Sequence, residues 1–466
     1  MRSDSRAGAR SLTLYQLNTM QDSLRAVLSF TIAVLLSTLC CDAMGQNQQE
    51  MQRLNPKLPP PIKFSEDRVA AAGIEKTQGR FITVYSDSRE SEKLKELVTI
   101  FDAAVPLWCE HFEVDFAKTK PYRMTAFVMV DRERFKGAGV LPDATGNFNS
   151  GLHRGHELWM DVQKDDYYTR HLLLHEGTHA FMQWLLGGFG SPWYAEGMAE
   201  MLAVHQWQAG KLKLNYRLQD RTESAGWGRV KIIRDDYAEK NAMKLDEVIA
   251  IDGRLFGTEN RSYAWSWAAC KFFSEHEKTK RAFRELVSRV NRADFSQRFL
   301  AAIGKDRQAI DRDWHTYISE IDYGYSVTRG LLRVAEKGNE ENQFIIDSQY
   351  GWQDTRIAVE PGDRLLIKAT GRFQVAKTKV EGAEEVWPSE AAGVTIDYYR
   401  GRPLGMLVVG VANEKGNGSG LVKSNAVGYQ REIKFRKSGT VCLRINESPA
   451  DLDDNEGSLT VVLEKK

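Results

Sequence analysis

In a chain of 466 residues, 64 Lys and Arg set against 63 Asp and Glu leave a formal net charge of +1, and 42% of the residues are hydrophobic. That length suffices for two or three domains with separate cores, and the composition is that of a globular protein. The balanced charge and the lack of a polybasic tract exclude nucleic acid and an anionic membrane surface as electrostatic partners.

The first 45 residues read as a signal peptide. Arg25 precedes the apolar run AVLSFTIAVLLSTL from Ala26 to Leu39, and small residues follow at Ala43 and Gly45. This is the order of a charged n-region, an h-region and a cleavage site. The run is shorter than the roughly 18 residues a membrane span needs. No span is expected once the chain is cut near Gly45, and the mature protein is expected to be secreted or periplasmic. An uncleaved anchor is the alternative, and Met20 offers a second start. Cys40 and Cys41 make no lipobox, because the bulky Leu39 precedes them. Cys109, Cys270 and Cys442 then remain, odd in number and in no CxxC pair. They read as buried thiols or a single disulfide, with no cysteine-based metal site. Residues 46–78, polar and then proline-rich, read as a linker or pro-segment.

From Arg80 the pattern becomes periodic. RFITVYS predicts a strand, ESEKLKELVTIFDAAVPLWCEHF an amphipathic helix, and RMTAFVMV a second strand. After a Gly-rich loop comes HELWMDV (156–162), a third strand, and then a helix over about 168–186. Helical sequence continues to Ile321. Beyond KGNEEN (337–342) the chain changes to short β-rich runs with Gly, Asn and Pro turns, among them VEPGD with Pro361 and Gly362. The second half is expected to be an all-β sandwich.

The helix over 168–186 carries HEGTH. Residues four apart share one face of a helix, so His175 and His179 present two imidazoles to one ion. Glu176, beside the first of them, is placed to take a proton from an attacking water. A catalytic zinc needs a third protein ligand. His171 continues the row, but eight residues of helix put it about 12 Å from His179, so it reads as a surface or first-turn histidine. Glu196 fits better. Gly187-Gly188 stops the first helix, Ser191 caps a second and Pro192 opens it. The short loop lets that helix turn back with Glu196 on the histidine face, and Gly197 would permit close helix approach. Glu200, one turn on, is placed to accept the free N–H of a ligand histidine.

HEGTH followed by WYAEGMAE resembles the gluzincin metallopeptidases, and most closely the peptidase MA-like domains of exported bacterial proteins. The similarity spans about 80–320 and implies Zn²⁺ held by His175, His179 and Glu196, with Glu176 as the base. It also implies that Tyr263, in SYAWSW, stabilises an oxyanion; the other reading of Tyr263 is an ordinary packed helix residue. No exopeptidase signature for a substrate amino group accompanies the motif. HELWMDV is available as an edge strand for an extended peptide, and His153 and His156 beside it are expected at the surface.

Segments 342–373 and 441–465 resemble the calcium-dependent galactose-binding lectins of bacteria, a β-sandwich family. That likeness implies Ca²⁺ near Glu447, Asp451, Asp454 and Asn455, a set of oxygen ligands that calcium favours, and a carbohydrate partner. Glu447 stands where the lectins have an aspartate, and the second sugar loop is replaced by KTKVEGAEEVWPSEAAG.

The expected fold is therefore α+β. A gluzincin-like domain over 79–330, a small sheet plus a helical zinc-site subdomain, precedes a lectin-like sandwich over 341–466. The expected activity is zinc-dependent hydrolysis of peptide bonds in a protein or peptide substrate. The alternatives are a carbohydrate- or surface-binding protein with an inactive peptidase-like domain, and a zinc hydrolase of a non-peptide amide.

Overall fold

The computed structural model describes residues 58–466 except 225, 227, 381–382 and 413–423. The signal peptide, Met20, Cys40, Cys41 and the first part of the expected linker lie outside these residues. The first sheet has the order β1-β2-β3-β5-β4, from β1 (Glu75–Gln78), β2 (Ile82–Ser86), β3 (Met124–Met129), β4 (Gly151–Arg154) and β5 (Glu157–Asp161). Strands β2, β3 and β5 run parallel, and β1 and β4 flank them antiparallel. Every residue of β2 and β3 is buried, as continuous apolar runs require when both faces of a sheet are covered.

One face packs on helix α1 (Ser91–His111), whose Leu97, Phe101 and Trp108 share a core with Val84, Ala126 and Leu158. The other face is closed by a second cluster that includes Tyr85, Phe127, Phe135 and Trp159. Two expectations change here. HELWMDV is β5, interior to the sheet; the edge is β4, inside the stretch expected as a Gly-rich loop. The proline-rich segment, expected as a linker, folds with the domain from Leu58 onward. Leu58 is buried, the Ile62 amide donates to Glu157 Oε1 at 2.9 Å, and β1 pairs with β2.

Shorter helices aside, five long helices and a hairpin make up the rest of this half. They are α2 (Asp166–Phe181), α3 (Pro192–Ala203), β6 (His205–Gln208) with β7 (Lys211–Leu214), α4 (Gly228–Ala238), α5 (Asn260–Glu275) and α6 (Arg307–Glu320). Helix α2 starts where Asp165 accepts from the amides of Tyr167 and Tyr168. It packs on α1 so closely that a Cβ on Gly177 would lie 2.7 Å from Trp108. A π-turn over Met182–Leu186 follows, and Gly187, at φ +79°, ends it. Only glycine takes that conformation without strain.

The remaining strands are β8 (Arg333–Val334), β9 (Glu336–Lys337), β10 (Gln343–Asp347), β11 (Gln353–Val359), β12 (Arg364–Thr370), β13 (Phe373–Val380), β14 (Ala383–Ser389), β15 (Ala392–Tyr399), β16 (Arg402–Ala412), β17 (Asn425–Ala426), β18 (Gln430–Lys434), β19 (Gly439–Ile445) and β20 (Glu456–Lys465). One sheet runs β14-β13-β20-β10-β9, with β12 joining β20 to β18; the other runs β15-β16-β19-β11-β8, with β17 on β16. Apolar residues of both sheets meet in one core, with Ile346, Ile367, Val461 and Leu463 from the first and Leu407, Val409, Val441 and Leu443 from the second. This is the sandwich the alternating runs predict, except that its sheets already include Arg333–Val334, ahead of the boundary expected at 341. Cys109, Cys270 and Cys442 are free and buried. No helix among the described residues is long and apolar enough to cross a membrane.

Candidate metal centre

Helices α2 and α3 lie side by side and bring His175, His179 and Glu196 to one point. His175 Nε2 stands 3.2 Å from His179 Nε2 and 3.2 Å from Glu196 Oε2, and His179 Nε2 stands 3.3 Å from that same oxygen. A tetrahedral ion with bonds of about 2.0 Å holds its ligand atoms about 3.3 Å apart. The triangle has the size that zinc requires, and its two imidazoles and one carboxylate are zinc donors.

The local sequence explains the placement, with two changes of detail. Pro192 opens α3 as expected, but the Ser191 hydroxyl caps nothing and accepts instead from Ser296 Oγ at 2.8 Å. Gly197 does permit a close approach, though of α3 to α5: a Cβ there would lie 2.4 Å from Ser266 O and 2.5 Å from Cys270 Sγ. The flank of α3 beside that contact, with Glu196 and Glu200, is thereby turned to the histidines.

The point calls for positive charge. Burial disfavours protonated His175, yet Glu196 and Glu200 on its two nitrogens outweigh burial and push its pKa up to about 10. Burial likewise favours a protonated Glu196, but His179 and His175 hold its carboxyl well below the usual range. A proton or a metal cation would each meet that demand.

Glu176 lies against β4. Its Oε1 occupies the space a Cβ would take on Gly151, and the His153 amide donates toward its carboxylate. Burial lifts its pKa above the ordinary carboxylate value, against the pull of His175 and His179. A base with a raised pKa takes up a proton more readily near neutrality. Tyr263, on α5, has its ring 5.9 Å from that of His175 and 5.0 Å from Phe256. Burial pushes its hydroxyl upward, so Tyr263 stays protonated and able to donate.

Glu200 is buried, with Oε1 3.3 Å from His175 Nδ1 as the sequence suggests. Its other oxygen faces His171 Nε2 at 3.3 Å. His171 is therefore buried on the α3 side, not at the surface, and it stays out of the triangle. His156 is also fully buried, its ring edge-on to Trp184 at 4.5 Å, and His153 is partly buried with Nε2 3.1 Å from Gly155 O. Two neighbours have no signal in the sequence. Phe189, in the glycine-rich loop, packs its ring 5.8 Å from that of His179. Arg229, on α4, grips Glu200 from a segment with no motif of its own.

In the sandwich, Asn455 Nδ2 donates to Glu447 Oε2 and to Ser348 O. Both Asn455 and Glu447 are buried, and Asn455 Oδ1 and Asp454 Oδ1 are buried without a hydrogen bond. Burial, helped by Asp451 and Asp454 and opposed by Asn455, pushes Glu447 up to about 9. The four residues expected around calcium are thus neighbours. Among the described residues, however, Glu447, Asp451 and Asp454 do not form a tight three-carboxylate cage.

No family model matches the chain, and no curated relative matches it. A solved structure described as the EclA N-terminal domain, a PllA-like lectin, is similar to 27% of this chain over its whole length, at 17% identity and a TM-score of 0.20. At that score the likeness carries no argument.

Proposed function

We propose that the chain is a zinc-dependent hydrolase of peptide bonds. The observation that carries this reading is the His175–His179–Glu196 triangle, 3.2–3.3 Å on each side, with Glu176 beside it. When bound there, zinc supplies a Lewis acid that polarises a carbonyl and acidifies a water. The chain's own groups do the rest. Glu176 accepts the proton of the attacking water and returns it to the leaving amine, and its raised pKa suits both transfers. Tyr263 is a partly buried donor for the oxygen of the polarised carbonyl. The exposed edge of β4, next to Glu176, offers backbone groups to an extended substrate. The test is zinc content by mass spectrometry and casein hydrolysis, wild type against Glu176→Gln. One zinc in both chains, with hydrolysis lost only in the variant, is the expected result; near-normal hydrolysis in the variant would sink the assignment.

For the sandwich we propose a calcium site at Glu447, Asp454 and Asn455, with Asp451 adding charge, because two buried oxygens there lack partners. Calcium should then raise the melting temperature of the wild type, and Glu447→Gln should abolish the rise. A wild type indifferent to calcium would refute the site. Carbohydrate binding through that calcium is tested separately on a glycan array.

A further inference from the structure

Glu200 is set up by more than the histidine it holds. Arg229 Nε donates to Glu200 Oε2 at 2.7 Å and Nη2 to Oε1 at 2.7 Å, a two-pronged fork. Each carboxylate oxygen therefore meets one guanidinium N–H and one imidazole, His175 on Oε1 and His171 on Oε2, both at 3.3 Å. The guanidinium also lies 5.6 Å from the centre of the Tyr263 ring, and Nη1 reaches Asn260 Oδ1 at 3.4 Å. Arg229 thus stands between Glu200 and Tyr263, and it comes from a helix that contributes nothing to the triangle.

This fork has a chemical consequence. A histidine that offers Nε2 to a metal is neutral and carries its proton on Nδ1, so it brings no charge to the carboxylate that accepts that proton. Glu200, 2% exposed, then has Arg229 as its permanent cation. A buried carboxylate without such a partner becomes protonated or swings away, because an unpaired charge in the interior is costly. The planar fork also fixes the carboxylate in rotation, which a single ammonium cannot do.

Resting on the proposed function, we infer that Arg229 is a positioning residue for the metal centre: it fixes Glu200 so that Oε1 accepts His175 Nδ1–H and His175 Nε2 faces the ion. His171 fills the remaining side of Glu200 and ligates nothing.

The test uses the full chain, with Zn²⁺ affinity from competition with a chelator and the visible spectrum of the Co²⁺-loaded protein. Arg229→Gln should weaken zinc roughly 10- to 100-fold, the usual cost of losing an outer partner, and should change the Co²⁺ spectrum. Arg229→Lys, which keeps the charge without the fork, should fall between. Arg261→Gln is the control: Arg261 Nε, on α5, donates to Asp236 Oδ2 on α4 at 2.7 Å, away from Glu200. It should lower thermal stability and leave both metal readouts alone. Zinc affinity within twofold of wild type and an unchanged spectrum in Arg229→Gln would overturn the inference. If that variant does not fold, wild-type affinity and spectrum in Arg229→Lys would overturn it equally. A wild type that takes up no metal would remove the proposed function and this inference together; a metal-loaded wild type with an indifferent Arg229 variant removes this inference alone.

Discussion

Replacing Gly197 by Ala tests what sets the size of the ligand triangle. The added Cβ would lie 2.4 Å from Ser266 O, where ordinary contact begins at 3.4 Å. The obstruction is a helix carbonyl, which cannot rotate away, so relief requires α3 to withdraw from α5 by roughly 1 Å. Glu196 is the adjacent residue and moves with the helix. Triangle sides of 3.2 and 3.3 Å from Glu196 Oε2 then change by the same order, away from the spacing one ion requires. Overpacking of this kind costs about 1–3 kcal/mol, offset by about 0.8–1 kcal/mol from the better helix propensity of Ala over Gly. The expected net loss is therefore up to about 2 kcal/mol, a fall of several degrees in melting temperature. Zinc affinity should drop by more than tenfold, since a misplaced carboxylate is a lost ligand. Thermal unfolding of the metal-free chain and chelator competition separate the two effects. Wild-type stability and wild-type zinc affinity in Gly197→Ala would refute the idea that this helix contact sets the site.

Two further predictions concern stability away from the triangle. Burial pushes Glu157 up to about 7 from an unfolded value of 4.5, although the Ile62 amide donates to it. The folded state therefore holds the proton more tightly, and stability is lost as pH rises from 4.5 through 7. At 1.36 kcal/mol per pKa unit the loss is about 3 kcal/mol. Glu157→Gln should melt higher than wild type at pH 8 and close to it at pH 4; equal melting at pH 8 would exclude the effect. Arg444→Ala removes a buried partner from Glu320, whose Oε2 it contacts at 2.9 Å. Arg400 remains at 3.0 Å, so the cost should lie near the low end for a broken buried pair, about 3 kcal/mol. Calorimetry should show the two halves unfolding more independently, and a single unchanged transition would refute the coupling.

The parts of this site that could be read in the sequence are those fixed by local geometry. A four-residue spacing on a helix dictates that His175 and His179 share a face, and a Gly-Gly stop followed by Ser-Pro dictates a second helix within reach. The sandwich was legible from alternation and turn residues. What escaped are the features set by contacts between distant segments. Gly197 announces a close approach but not to which helix, and α5 is some seventy residues away in the chain. Arg229 meets Glu200 because α4 crosses beside α3, and nothing in AGWGRV marks that meeting. Strand β4 is short, and GLHR has no alternation to separate it from a loop. His156 is expected at the surface and His171 at the surface or in the first turn, whereas both are buried. A neutral imidazole can be enclosed at low cost when it packs on an aromatic ring or faces a carboxylate. The proline-rich strap was misread for a related reason: composition records that LPPPI is stiff and extended, but not that Gly155 leaves room for Pro59.

Arg444, at the end of β19, and the loop between β19 and β20 tie the sandwich to the helical half through side-chain contacts. Arg444 uses one nitrogen for Glu320 at the end of α6 and another for the carbonyl of Glu447 at 2.6 Å. Asp453, in the same loop, pairs with Arg329 and lies 3.5 Å from Arg217, while Gly324 has no room for a Cβ beside Ala450. A module hung on a flexible tether needs none of these contacts. They also bear on the proposed calcium site, because the residues that would hold the ion are continuous with those that dock the sandwich. A change of charge at Glu447 would be felt at Arg444, which donates to the Glu447 carbonyl, and through it at Glu320. Calcium at this position would therefore stabilise the joint between the domains along with the loop itself. That separates a docking role from an open sugar site, since Arg444→Ala should uncouple calcium from the melting of the helical half while leaving calcium binding by the sandwich in place.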